Sequence, residues 1–276
     1  MATTATVRGV PARSFLGQRA AVESVERAIR SAVREPRSRY LAEFAAAFRS
    51  CESHISETEL VVRAVAADVV LVGDYHSLAS CQAFSTSLLN HLTAQDCRGN
   101  VLALEAVYSA NQPLLEQWSR GEIDDSELPQ RLHFARDWGY DWKPYGQLFA
   151  AARQCEAVWG LDSEPRFDLR RVRARDRHMA ARICEARQAH PDARITALVG
   201  ESHLAPGHLP QLLHRMLPDA RVFTVLQNVD SLYWQLADGD ALPGPVAITE
   251  NITCVFNASP LEKYESYQAY LERWGE

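Results

Sequence analysis

Two short stretches of this sequence share one design. Gly73-Asp74-Tyr75-His76 follows the apolar run 69–72, and Gly200-Glu201-Ser202-His203 follows the apolar run 195–199. Each reads apolar strand, glycine, carboxylate, one further residue, histidine. Glu105 closes a third apolar run, 101–104, and Asp162 closes a fourth, 157–161, with Glu164 just beyond it. Two imidazoles and a carboxylate are a common ligand set for a catalytic divalent ion, which needs nitrogen and oxygen donors and an open position for water. The expectation is that His76, Glu105 and His203 hold such an ion, with Glu201 or Asp74 as a further ligand or as general base for the bound water. A single histidine at a strand end more often caps a helix or satisfies buried backbone groups. The coincidence of the whole set favours chemistry.

Further residues fall within reach of the same strand ends. Arg175, beside Asp176 near the start of an Arg/Ala-rich helix, is suited to orienting a carboxylate, anchoring a substrate anion or stabilising developing negative charge, while a plain surface ion pair fits it equally well. His208 follows the run 195–199 closely enough to reach the same strand ends. The dense stretch Trp138-Gly-Tyr140-Asp-Trp142-Lys-Pro-Tyr145 could wall a pocket, or bury its aromatics in a small core of its own. Trp138, Trp142, Tyr145, Asp162 and His208 are therefore the candidate substrate-pocket residues. His54, His91, His133, His178, His190 and His214 lack comparable neighbours and read as surface or packing residues.

Several chemistries find no support. There is no G-x-S-x-G elbow, no G-x-x-x-x-G-K-[ST] loop and no G-x-G-x-x-G fingerprint. The six cysteines are scattered without a C-x-x-C pair, which fits reduced thiols better than a disulfide frame or a zinc knuckle. A formal net charge of −6 argues against nucleic acid or an anionic membrane as the main partner, although Arg170, Arg171, Arg173, Arg175 and Arg177 form a local cluster. The first residues lack a signal-peptide core and no window resembles a spanning helix, so the expected compartment is the cytoplasm, with no membrane anchor.

The elements that must position these groups are legible in the periodicity. Runs 68–72, 101–104, 157–161, 195–199 and 222–226 are apolar on both faces, as central parallel strands are, and they alternate with helical segments. The expected fold is α/β, with a mostly parallel central sheet flanked by helices on both faces. Residues 1 to about 17 read as unstructured, and two helices separated by Pro36 fill the stretch from Arg19 to about Ser50. Residues 1–66 form an N-terminal helical extension and 67–276 the α/β domain, in one compact unit. Stretches 233–236, 247–249 and 253–256, between Asp-Gly-Asp and Pro-Gly-Pro turns, read as a C-terminal antiparallel edge, before a last amphipathic helix with Leu261, Tyr264, Tyr267, Leu271 and Trp274.

The order Val-Gly-Asp-Tyr-His76, Leu-Glu105, Trp138-Gly-Tyr-Asp-Trp142, Arg175-Asp-Arg-His-Met-Ala180 and Val-Gly-Glu-Ser-His203 resembles the ChaN-like haem-binding uptake proteins of the TIKI superfamily, which includes TraB-like proteins and erythromycin esterases. The similarity runs from about Asp68 to Leu226. Asp74 stands where the family usually has Glu. TIKI-type members imply a metal-dependent hydrolase built on His76, Glu105 and His203. ChaN-type members imply haem bound in part through a tyrosine at a dimer interface, for which Tyr75 or Tyr108, and equally Tyr140 or Tyr145, are candidates. The reading is thus a metal-dependent enzyme hydrolysing an amide or ester bond of a small molecule or peptide. A haem-binding homodimer, or a pathway enzyme using the same pocket without hydrolysis, is the alternative.

Overall fold

The computed structural model describes residues 15–32, 39–95, 98–163, 172–238 and 241–274. Among them run eight strands: β1 (Ser53–His54), β2 (Val69–Asp74), β3 (Asn100–Tyr108), β4 (Ala157–Asp162), β5 (Arg194–Gly200), β6 (Val222–Gln227), β7 (Val246–Thr249) and β8 (Ile252–Val255). They form one sheet in the order β1-β7-β8-β6-β2-β5-β3-β4. From β8 to β4 every neighbouring pair is parallel, and β7 pairs antiparallel with both β8 and β1.

The expected fold class holds, with its antiparallel edge. Strands β2, β5 and β3, at the middle of the parallel run, are buried throughout, with successive side chains pointing to opposite faces, and β4 forms the edge. Val70, Val72, Leu102 and Leu104 enter one core, and Val69, Leu71, Val101, Ala103, Ile195, Ala197 and Val199 enter the other.

Helices cover both faces. In chain order they are α1 (Phe15–Ala32), α2 (Arg39–Ala47), α3 (Glu57–Ala66), α4 (Ala79–Gln95), α5 (Gln112–Ser119), α6 (Leu128–Arg131), α7 (Phe134–Asp137), α8 (Trp142–Ala152), α9 (Val172–Ala189), α10 (Leu209–Met216), α11 (Asp230–Leu236) and α12 (Pro260–Trp274). The first core takes Leu60 of α3, Leu88, Leu89 and Leu92 of α4, Leu115 and Trp118 of α5, and Leu148 and Phe149 of α8. The second takes Met179, Ala180 and Ile183 of α9, Leu209 and Leu213 of α10, and Phe44 of α2. Helix α1 lies along α12.

One element differs from the sequence reading. Residues 233–236 are the end of helix α11, not a strand. Asn228 takes a positive φ of 53°, which turns the chain out of β6, and Asp230 supplies an acid in the first helical turn. Leu232, Tyr233 and Leu236 then fall at helical spacing, with Leu232 and Tyr233 buried. Pro36, Cys97, Glu164, Arg170 and Arg171 lie outside the described residues. None of the helices described is long and apolar enough to cross a membrane.

Candidate active site

The C-terminal ends of β2, β3, β4 and β5 meet along one edge of the sheet, where ligands of open α/β folds bind. At the centre stands Glu105, 3% exposed, within β3. Its Oε1 accepts from Arg175 Nη2 at 2.5 Å and lies 3.4 Å from His203 Nε2, and its Oε2 accepts from the Gly200 backbone N–H. Burial would raise the carboxyl's pKa, but His203 above all, with Arg175 and His76, holds it well below the usual carboxylate range. Arg175 also grips Asp162, with Nε and Nη2 each 2.9 Å from a carboxylate oxygen. The guanidinium thus locks β3 to β4 and is itself buried.

His203 sits in a single 3-10 turn, Glu201–Leu204, directly after β5. Its Nδ1 is 2.6 Å from Asp176 Oδ1 on α9. Burial works against charge on this ring, yet the Glu105 and Asp176 carboxylates outweigh it and push the pKa up to about 9. Asp176 Oδ2 holds a second imidazole, His208 Nδ1, at 2.8 Å, and His208 Nε2 reaches Glu43 Oε2 of α2 at 3.1 Å.

Asp74 anchors the other half of the site. It is buried and takes three donors: His76 Nδ1 at 2.9 Å, the Tyr145 hydroxyl at 2.6 Å and the Gln82 amide. The contact with Asp74 fixes the His76 ring so that its Nε2 lies toward Gly200 at the end of β5. A Cβ on Gly200 would lie 3.1 Å from His76 Nε2 and 3.3 Å from Glu105 Oε2, so the glycine keeps open the point where these two groups meet. Trp138 packs edge-on to His76 at 4.4 Å, and Tyr140 lies 5.2 Å from it.

Glu201 faces a different partner, Lys263 of α12, whose Nζ is 3.1 Å from it and 3.4 Å from Asp230. Burial raises the Glu201 pKa against the opposing pull of Lys263. Lys263 also lies 4.8 Å over the Tyr75 ring. Tyr75 meets Tyr267 edge-on, Tyr267 stacks on Tyr270, and Tyr270 stacks on Tyr140 at 4.4 Å. An aromatic wall therefore runs from α12 to His76.

His76, Glu105 and His203 thus converge at the ends of β2, β3 and β5. Among the described residues no three His, Cys, Asp or Glu side chains are arranged to hold a metal ion. Arg175, the Gly200 N–H and the His203 ring crowd the two oxygens of Glu105. The donor set does not suit a divalent cation, and Asp74 and Glu201 are engaged elsewhere.

The other expected pocket residues separate. Trp138 and Tyr145 border His76 and Asp74, and Asp162 holds Arg175. Trp142 turns away to stack on Phe149 and lines a separate cavity of about 540 Å³. Arg175 is spent on two carboxylates, which leaves it a positioning role rather than a hold on substrate. Tyr108 is buried, and burial pushes the Tyr75 phenol well above its ordinary pKa.

Sequence reasoning missed Gln82, Lys263 and Tyr270, and gave Asp176 no role of its own. Asp176 shares a helical face with apolar Met179, Ala180 and Ile183, and a charge on such a face is a readable sign of a buried partner. Lys263 likewise shares a face with Tyr267 and Tyr270.

Residues 60–167 match the family model described as haem-binding uptake, Tiki superfamily, ChaN. A structure of ChaN of Campylobacter jejuni with cofacially bound haem superposes with a TM-score of 0.51 at 16% identity, covering 63% of this chain and 86% of that one. The type III effector HopBA1 gives a TM-score of 0.54 at 13% identity over 76% of this chain and 97% of that one. At these identities the likeness is one of fold. No match is found among curated proteins.

Proposed function

We propose that this chain, whose residues 60–167 match the ChaN-type family model, is a hydrolase whose acid and base are its own side chains, acting on an amide or ester bond of a small molecule or peptide. The observation that carries this reading is a pair of imidazoles set on either side of Glu105, each oriented through Nδ1 by its own carboxylate. His76 is oriented by Asp74 through Nδ1, with its Nε2 toward Gly200, and the Glu105 and Asp176 carboxylates on either side of His203 push its pKa up to about 9. An imidazole between two carboxylates is suited to giving a proton, and one held by a carboxylate through Nδ1 to taking one at Nε2.

In this reading His76 Nε2 takes a proton from water as its oxygen attacks the carbonyl carbon. His203 gives a proton to the departing nitrogen or oxygen as the scissile bond breaks. One proton is taken and one given, and exchange with solvent restores both rings. Glu105 and Arg175 fix the electrostatics of His203 without touching the reacting atoms. Trp138 and Tyr140 limit access of water to His76.

The test is a panel of chromogenic esters and aminoacyl anilides offered to the purified protein, to His76→Gln and to His203→Gln. The reading expects turnover of at least one class, reduced roughly 100-fold or more in each variant, the usual scale for losing a general acid or base. Turnover unchanged in both variants would refute it.

A second reading is favoured by one observation, the stacked wall of Tyr140, Tyr270 and Tyr267 beside an imidazole with a free Nε2. A flat macrocycle suits such a wall, and a histidine backed by a carboxylate suits haem iron. Haem would supply a metal centre for binding or redox work, held by His76 rather than by Tyr75 or Tyr108. An absorbance titration with haem separates the readings: saturation lost in His76→Ala and retained in Tyr75→Phe would support it.

A further inference from the structure

Beside Asp176, a cavity of about 820 Å³ opens between α2, α9 and α10. Its wall includes His208, whose two nitrogens are taken by Asp176 and Glu43. Asp176 in turn gives its other oxygen to His203, so the acids here are already committed to imidazoles. The cations are not. Arg173 and Arg177 stand four residues apart on α9, one turn of a helix, and both are exposed. Neither has a hydrogen bond or ion pair among the described residues. Arg215, on α10 across the cavity, bonds among the described residues only to Gln211 of its own helix.

We propose that this cavity binds the phosphate group of a small phosphorylated molecule, with Arg173, Arg177 and Arg215 as its anion clamp. Guanidinium groups meet phosphate oxygens in paired, planar hydrogen bonds, and three from two helices can enclose one group. The volume suits a ligand of metabolite size, and the concave wall suits a free molecule better than a flat lipid surface. Arg173 lies in the first turn of α9, an 18-residue helix whose amino end adds to the positive field. An occupant would sit beside His208 and share Asp176 with His203. The site is independent of the hydrolytic reading, because it requires nothing of His76 or Glu105.

The experiment is calorimetric titration of the full chain with inorganic pyrophosphate, at an ionic strength held constant with chloride. Saturable binding of about one equivalent is expected, weakened roughly tenfold or more in Arg173→Ala/Arg177→Ala. Arg131→Ala, an exposed arginine on α6, should bind as the parent does. Equal urea midpoints for all three proteins would show that folding is not what changes. The absence of saturable heat, equal affinity in the double variant, or sedimentation with phosphoinositide vesicles without pyrophosphate binding would each overturn the proposal.

Discussion

Arg175 Nη2 lies 2.5 Å from Glu105 Oε1, so a guanidinium stands against the carboxylate that a divalent ion would need. Arg175 at the same time closes on Asp162, joining two buried acids to one cation. Removing one member of a buried ion pair leaves an uncompensated charge, which costs about 3–5 kcal/mol. Arg175→Met should therefore lower unfolding stability by about that amount, and adding Glu105→Gln should restore part of it, because coupled residues are not additive. Urea denaturation of the parent and both variants gives the comparison. A loss below about 1 kcal/mol in Arg175→Met, the scale of an exposed pair, would contradict the clamp.

Stability should fall on both sides of a central pH range. His203 is raised to about 9 in the folded chain, above its ordinary 6.5, so its contribution is complete below 6.5 and is lost as pH rises through 9. Glu105 is depressed below its ordinary 4.5, so its contribution is complete above 4.5 and is lost as pH falls through its folded value. Denaturation midpoints across this range should show both arms, and His203→Asn should flatten the alkaline one. An alkaline arm of the same size in His203→Asn would place its origin elsewhere.

Gly200 separates fold from site. Its φ of −51° and ψ of 134° are open to any residue, so alanine meets no backbone strain there. The added methyl would instead enter the space between His76 Nε2 and Glu105 Oε2, 3.1 and 3.3 Å away. Gly200→Ala should change stability by no more than about 1 kcal/mol, yet reduce turnover roughly 100-fold by misplacing the base. Full turnover with a stable fold would show that no reacting atom passes that point.

The strands and both histidine motifs were legible because each rests on a local pattern: an apolar run buried on two faces, then a glycine and polar groups at the sheet edge. The roles of those groups were not, because they depend on partners far away in sequence. Glu105 reads as a metal ligand until Arg175, seventy residues on, is found against it. Asp74 reads as a base until Tyr145 and Gln82 are seen filling its oxygens. Trp142 reads as part of the pocket wall, but Phe134 and Phe149 draw it the other way. Lys263 comes from a helix nearly sixty residues beyond the last motif, and only the packing of α12 brings it to Glu201.

The protonation state of His203 tests the account most directly, since an acid must carry a proton and a metal ligand cannot carry it on the bound nitrogen. Nitrogen-15 NMR of the imidazole reads both ring positions without a substrate. The account predicts two protonated nitrogens on His203 at pH 7, with titration near 9. A neutral ring at pH 7, or one whose signals shift on adding a stoichiometric divalent ion, would contradict it.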